Sequence, residues 1–110
     1  MDNFTRGVAY NLRVGLNDKD LNAQIISNAE ALSIIQKVCS RYFKNGFTIL
    51  PGTGDASPTP SIENSFYINA VEATEKSVLT VASILNKRFN QSSILIDRMP
   101  TEFWFFTGRV

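Results

Sequence analysis

Val8, Tyr10, Leu12, Val14 and Leu16 alternate with Ala9, Asn11, Arg13 and Gly15 near the start of the chain. Successive side chains of an extended strand point to opposite faces, so this period of two describes a strand with one buried face. A strand that is apolar on one side must lay that side against a second layer. The sequence therefore demands a sheet with one packed face, and two later stretches with helical spacing are suited to cover it.

The first of these follows Ser27 and Glu30, whose Ser-x-x-Glu spacing forms a capping box. Ala31, Leu32, Ile34, Ile35, Val38, Cys39, Tyr42 and Phe43 then recur at helical spacing and predict a helix over about residues 28 to 44, closed by Asn45-Gly46. The second begins after Glu72, Ala73 and Thr74. Its buried stripe is Val78, Val81, Ala82, Leu85 and Phe89, helped by Leu79 and Ile84. Glu72 and Glu75 near its start and Lys87 and Arg88 near its end complement the helix dipole.

Further strands are expected at Phe47-Thr48-Ile49-Leu50 and over residues 64 to 71, where Phe66, Ile68 and Ala70 share one face. Another is expected over residues 93 to 97, broken by Met99-Pro100, and a last one over residues 102 to 107. Strand, helix, strand, strand, helix, strand, strand is a ferredoxin-like α+β order. The expectation is one domain over residues 1–110: a βαββαβ antiparallel sheet with an added C-terminal strand and two helices on one face. Phe103, Trp104, Phe105 and Phe106 make the last strand apolar on both sides, so a second copy of the chain is expected to cover it.

Asn17-Asp18-Lys19-Asp20 reads as a turn. The spacing of Asp18 and Asp20 invites a calcium reading, but no glycine or terminal glutamate completes an EF-hand loop. Residues 51 to 61 read as a loop that orders over ligand. Gly52-Thr53-Gly54 lacks the lysine and following helix of a P-loop, which leaves a hairpin tip.

Composition narrows the function. The chain has 11 Lys+Arg against 10 Asp+Glu, a net charge of +1 that points away from a binder of long nucleic acid. It contains no histidine, which removes the usual general base and transition-metal ligand, so neither a cofactor nor a metal is expected. Its single cysteine, Cys39, lies in the apolar stripe and reads as a small buried hydrophobe. With no signal-like N-terminus and no membrane-length apolar run, a cytoplasmic setting and no membrane partner are expected.

Two polar stretches carry a resemblance. Arg41-Tyr42-Phe43-Lys44-Asn45-Gly46-Phe47-Thr48-Ile49-Leu50, followed by a glycine-bearing loop, resembles the RFPdGlTv…G pattern of a bacterial domain family of unknown function, DUF3574. Arg88-Phe89-Asn90-Gln91-Ser92-Ser93-Ile94-Leu95 resembles the RFgQeSVl segment of that family, and the match covers roughly residues 8 to 97. Asp55-Ala56-Ser57-Pro58 stands where that family has GqW. Val14-Gly15-Leu16-Asn17-Asp18-Lys19-Asp20, taken with Asn90-Gln91-Ser92-Ser93, is similar to the phage Thoeris anti-defence sponge family. That resemblance implies a host-cytoplasmic protein that sequesters cyclic nucleotide immune signals (cyclic ADP-ribose isomers or cyclic oligonucleotides) as a homo-oligomer, a dimer or a hexamer.

A binder of that kind needs cations for phosphates, aromatic faces for bases and amides for base edges. Arg88, Asn90, Gln91, Arg98, Arg109, Tyr42 and Phe47 supply that inventory, with Arg98 or Arg109 expected from a neighbouring copy. Each also has an ordinary role: Arg88 at a helix C-terminus, Asn90 as a C-cap, Arg98 at a strand end. No catalytic residue and no enzymatic activity are expected. For a small enzyme, the alternative, the available carboxylates are Glu63 and Asp97, read as unpaired and at strand ends. A purely structural or protein-binding homo-oligomer is the third reading.

Overall fold

In chain order the elements are β1 (Thr5–Gly15), β2 (Asn17–Asp18), β3 (Ala23–Gln24), α1 (Asn28–Tyr42), β4 (Thr48–Gly54), β5 (Glu63–Val71), α2 (Glu75–Arg88) and β6 (Leu95–Phe103). The computed structural model describes residues 3–54 and 62–108. The four long strands form one antiparallel sheet in the order β4-β5-β1-β6, with β2 and β3 paired as a small separate ladder. With two helices on one face, this is the ferredoxin-like α+β arrangement that the element order predicts.

The alternation in β1 builds the core. Tyr10, Leu12, Val14 and Leu16 are buried, as are Phe66, Ile68 and Ala70 of β5, and they meet Ala31, Ile35 and Cys39 of α1 and Val78, Val81, Ala82 and Leu85 of α2. Each large apolar side chain removed from water contributes roughly 1.5–3 kcal/mol. Both helices start at capped ends: the Ser27 hydroxyl accepts from the Glu30 N–H at 3.1 Å and that of Thr74 from the Ser77 N–H at 3.0 Å. The Ser27 hydroxyl also donates to the Glu30 carboxylate at 3.2 Å, so the two residues that suggest a capping box do meet, through the hydroxyl and not through the Ser27 backbone N–H.

Several expectations are corrected. The strands expected over residues 93 to 97 and 102 to 107 are one strand, β6, that runs through Met99 and Pro100, while residues 104–106 lie beyond it. Proline is tolerated because β6 is an edge strand, where a nitrogen without a hydrogen can face outward. β4 is longer than expected and takes in Pro51 to Gly54; residues 55–61 of the expected loop lie outside the described residues. Leu79, counted in the buried stripe of α2, is 55% exposed. α1 ends at Tyr42, where the Phe43 N–H bonds back to the Cys39 carbonyl.

The molecule is elongated, with extents of 54 × 27 × 25 Å. β5 ends opposite Ala9, so the stretch from Thr5 to Val8 pairs only with β6 and projects as a two-stranded ribbon. At its tip Phe4, Trp104 and Phe106 stack edge to face in sequence, with ring centroids 5.7 and 5.3 Å apart. Among the described residues no helix is long and apolar enough to cross a membrane.

Candidate functional site

α2 runs in the same direction as β1, so both finish at one end of the sheet, and the polar stretch after α2 lies against the turn after β1. Beyond the helix cap Phe89, Asn90 adopts a left-handed φ of 48°, which asparagine accepts at this position. The Asn90 N–H bonds to the Lys87 carbonyl at 3.3 Å and the Gln91 N–H to the Asn86 carbonyl at 3.0 Å, which completes a Schellman motif.

The side chains of the same residues tie this helix end to the β2–β3 turn. Asn90 Nδ2 donates to Asp18 Oδ2 at 3.0 Å and to Asp20 Oδ2 at 2.8 Å, and its backbone carbonyl accepts from the Lys19 N–H at 3.0 Å. Buried Gln91 donates through Nε2 to the Asn17 carbonyl. Asp18 Oδ1 accepts from the N–H groups of Asp20 and Leu21 at 2.9 and 3.0 Å, the local turn that asparagine and aspartate make. These bonds, the Asn90 amide first and the Leu21 N–H next, hold the Asp18 carboxyl below its ordinary value of 3.8. The Asn17–Asp20 stretch is thus a turn, as read, but one bound to α2. Among the described residues no three His, Cys, Asp or Glu side chains gather into a metal-binding group.

A cavity of about 230 Å³ opens beside this junction. Buried Leu16 and Phe89 line it together with exposed Ile25, and Asp18, Glu30 and Arg88 bring the charge. Arg88 is exposed, and among the described residues its guanidinium has neither an ion pair nor a hydrogen bond. It is a cation available to a ligand at the edge of a walled cavity.

The rest of the predicted set is dispersed. Tyr42 and Phe47 lie at the opposite end of the sheet, because α1 runs back along β1 and β4 starts there. Tyr42 carries the Arg41 guanidinium over its ring at 5.6 Å, and Phe47 packs on Phe43 with centroids 6.5 Å apart. Arg98 stands opposite Tyr10 and pairs with Glu75 of α2 at 3.2 Å. Arg109 lies outside the described residues. So Arg88, Asn90 and Gln91 come together, Tyr42, Phe47 and Arg98 do not join them within one chain, and the Asn90 and Gln91 amides already serve the fold.

Sequence reasoning missed Glu30, Leu16 and Phe89 as cavity walls and Asp18 as the partner of Asn90. The Asp18 spacing was the available signal. The two carboxylates read as unpaired are not: Glu63 Oε2 accepts from the Asn17 N–H at 2.7 Å, and Asp97, inside β6 and not at its end, accepts from Asn11 Nδ2 at 2.9 Å.

No protein-family model and no curated protein matches the chain. Solved structures do. A phage SAM lyase in its apo state aligns with a TM-score of 0.60 at 14% identity, covering 90% of both chains. The phage SAM lyase in complex with S-methyl-5'-thioadenosine gives 0.55 at 17% identity over 89% of both. CPII, a nitrogen regulatory PII-like protein from Thiomonas intermedia K12 bound to ADP, AMP and bicarbonate, gives 0.56 at 12%, covering 91% of this chain and 94% of that one. At such identities the likeness is one of fold. It nonetheless overturns the expectation that the chain is no enzyme, because nearly its whole length shares the fold of a lyase. The lack of histidine is therefore no ground for excluding catalysis.

Proposed function

We propose that this chain is a phage protein that binds a small adenosine-bearing nucleotide at the Arg88 cavity, and that its ligand in the cell is a cyclic nucleotide immune signal, withdrawn from use by binding. The observation that carries this reading is the uncommitted Arg88 guanidinium at a cavity whose wall is fixed by the Asn90 and Gln91 bonds. A guanidinium fork grips phosphate oxygens through two hydrogen bonds. Supporting it, the molecules named in the fold neighbours, S-methyl-5'-thioadenosine, ADP and AMP, share an adenosine moiety. The resemblance of the polar stretches to the sponge family supplies the immune-signal part.

At about 230 Å³ the cavity is smaller than the roughly 300–1,000 Å³ usual for ligand clefts, so it holds part of a nucleotide. The remainder extends past Arg88 to a neighbouring copy in a homo-oligomer, at least a dimer and by resemblance a hexamer. Phe105 and Phe106, 60% and 59% exposed, give apolar surface for assembly at the opposite end of the chain from Arg88. The lyase among the fold neighbours favours a second reading, cleavage of an adenosine-bearing substrate such as SAM at this cavity.

One experiment separates these readings. The protein is titrated by calorimetry with cyclic ADP-ribose isomers, cyclic dinucleotides and SAM, then heated, and the released molecule is identified by mass spectrometry. An intact cyclic nucleotide, bound about ten- to a hundredfold more weakly by Arg88→Ala, is the expected result. A cleaved product establishes the enzyme, and no uptake of any of the three, or unchanged binding by Arg88→Ala, overturns the site.

A further inference from the structure

Two apolar surfaces of this chain lie uncovered, and the fold keeps them apart. One is the sheet face opposite the helices. Leu50 of β4, Tyr67 of β5, Arg13 of β1 and Leu95 of β6 stand in one row across the four strands, and Met99 follows on β6 opposite Ala9. These positions alternate with the buried Leu12, Val14, Phe66 and Ile68, so they belong to the open face. Leu50, Tyr67, Leu95 and Met99 are 60, 40, 56 and 62% exposed. Between that row and Met99, Asn69 Nδ2 donates to Asn11 Oδ1 and Asn11 Nδ2 to Asp97 Oδ1, each at 2.9 Å. Polar side chains already bonded to one another across strands can be covered at low cost.

The other surface is the tip of the ribbon. Trp104 and Phe106 meet edge to face at 5.3 Å and Phe103 and Phe105 at 5.5 Å, yet Phe105 and Phe106 keep more than half of their surface in water. Phe103 lies over Gly7, where an added Cβ would stand 2.7 Å from its ring, so the cluster is seated on the ribbon. Eight residues of extended strand, about 26 Å, separate Phe103 from Leu95. The tip of a paired ribbon cannot fold back over that distance onto its own sheet.

An aromatic segment suits the open face. Arg13 is half-buried there, and among the described residues it makes no ion pair and no hydrogen bond. A guanidinium is attracted to ring faces, and the leucines and Tyr67 of its row supply apolar contact. The ribbon carries Arg6 with Glu102 and the face Arg13 with Asp97, so no excess of one sign opposes the approach. The tip buries on the order of a few hundred Å², below the roughly 800 Å² per partner of a stable interface, so each copy has to make the contact twice.

We infer that the aromatic tip of one copy docks on the open sheet face of a second copy, with Phe105 and Phe106 against Leu50, Tyr67 and Leu95 and beside Arg13. Each copy gives a tip and receives one, reciprocally in a dimer or around a ring. This names the two surfaces of the homo-oligomer proposed above and rests on that assembly, not on the Arg88 ligand.

The test pairs a tip variant, Phe106→Asp, with a face variant, Leu95→Glu; both residues are more than half exposed, so both variants keep the fold in urea unfolding. In light scattering at micromolar concentration the parent is assembled and each variant alone is a monomer, while Arg13→Ala weakens assembly about two- to fivefold. Unlabelled Leu95→Glu chain is then added to nitrogen-15-labelled Phe106→Asp chain. The one intact tip meets the one intact face, and saturable NMR shifts are expected at the Leu50, Tyr67 and Leu95 amides of the labelled chain. Unlabelled Phe106→Asp chain added in its place gives none. Full assembly of Leu95→Glu, or a mixture without those shifts, overturns this contact and leaves the homo-oligomer to another surface. A monomeric parent overturns both.

Discussion

At the end of the molecule where β1 and α2 finish, three side-chain bonds from Asn90 and Gln91 join segments 70 to 74 positions apart in the chain, and Asp18 adds a bond within its own turn. At the other end, Thr5 to Val8 and Pro100 to Phe103 make a two-stranded ribbon that, among the described residues, has no further strand on either side. The one side-chain ion pair there among the described residues, Arg6 to Glu102 at 3.8 Å, has side chains 92% and 61% exposed. Such a pair contributes between nothing and about 1 kcal/mol. The first end is held by partly buried polar bonds with defined geometry. The second is held by backbone pairing and by aromatic edges that water still reaches. The contrast teaches that the two ends have different work: one shapes a cavity in the single chain, and the other presents apolar surface to something else.

The strongest test of that division is Leu16→Ala. Leu16 is 1% exposed at the knitted end, and its truncation is expected to cost about 2–5 kcal/mol in urea unfolding. Gln91→Ala comes next, at about 1–3 kcal/mol, because it leaves the Asn17 carbonyl without its donor. Trp104→Ala, at the ribbon, removes two edge-to-face stacks and is expected to cost about 1 kcal/mol in folding, while light scattering reports loss of assembly at micromolar concentration. A folding loss as large as that of Leu16→Ala, or unchanged assembly, erases the contrast.

Asn90→Gly gives the smallest and sharpest effect. Glycine keeps the left-handed backbone and deletes only the amide that bonds Asp18 and Asp20. The Asp18 carboxyl is held below 3.8 in the folded chain, so its contribution to stability is present above about that pH and is lost as pH falls through the lower, folded value. Asn90→Gly is therefore less stable than the parent at pH 7, and the deficit shrinks as unfolding is measured below pH 3.8. A deficit that is constant with pH separates the Asn90 amide from the Asp18 charge.

What the sequence determined by itself is whatever depends on near neighbours. The period of two in β1, the stripes of α1 and α2, the Ser27 cap and the polar turn after α2 are all set within a few residues, and, Leu79 apart, each is found where periodicity and capping chemistry place it. The burial of Cys39 belongs here too; desolvation pushes its thiol up to about 12, so it is a core atom more than a reactive one. Tertiary structure decided the rest. Whether Pro100 breaks a strand depends on which edge of the sheet it occupies, and no local pattern states that. Asn90 and Asp18 lie 72 residues apart, so only the parallel course of α2 and β1 turns a C-cap and an aspartate turn into one junction. The same register separates Tyr42 and Phe47 from Arg88, and it sets Leu50, Tyr67, Arg13 and Leu95 in one row. Local periodicity says which face a residue takes, but strand order and register decide which residues share that face, and sites are made of residues that share it.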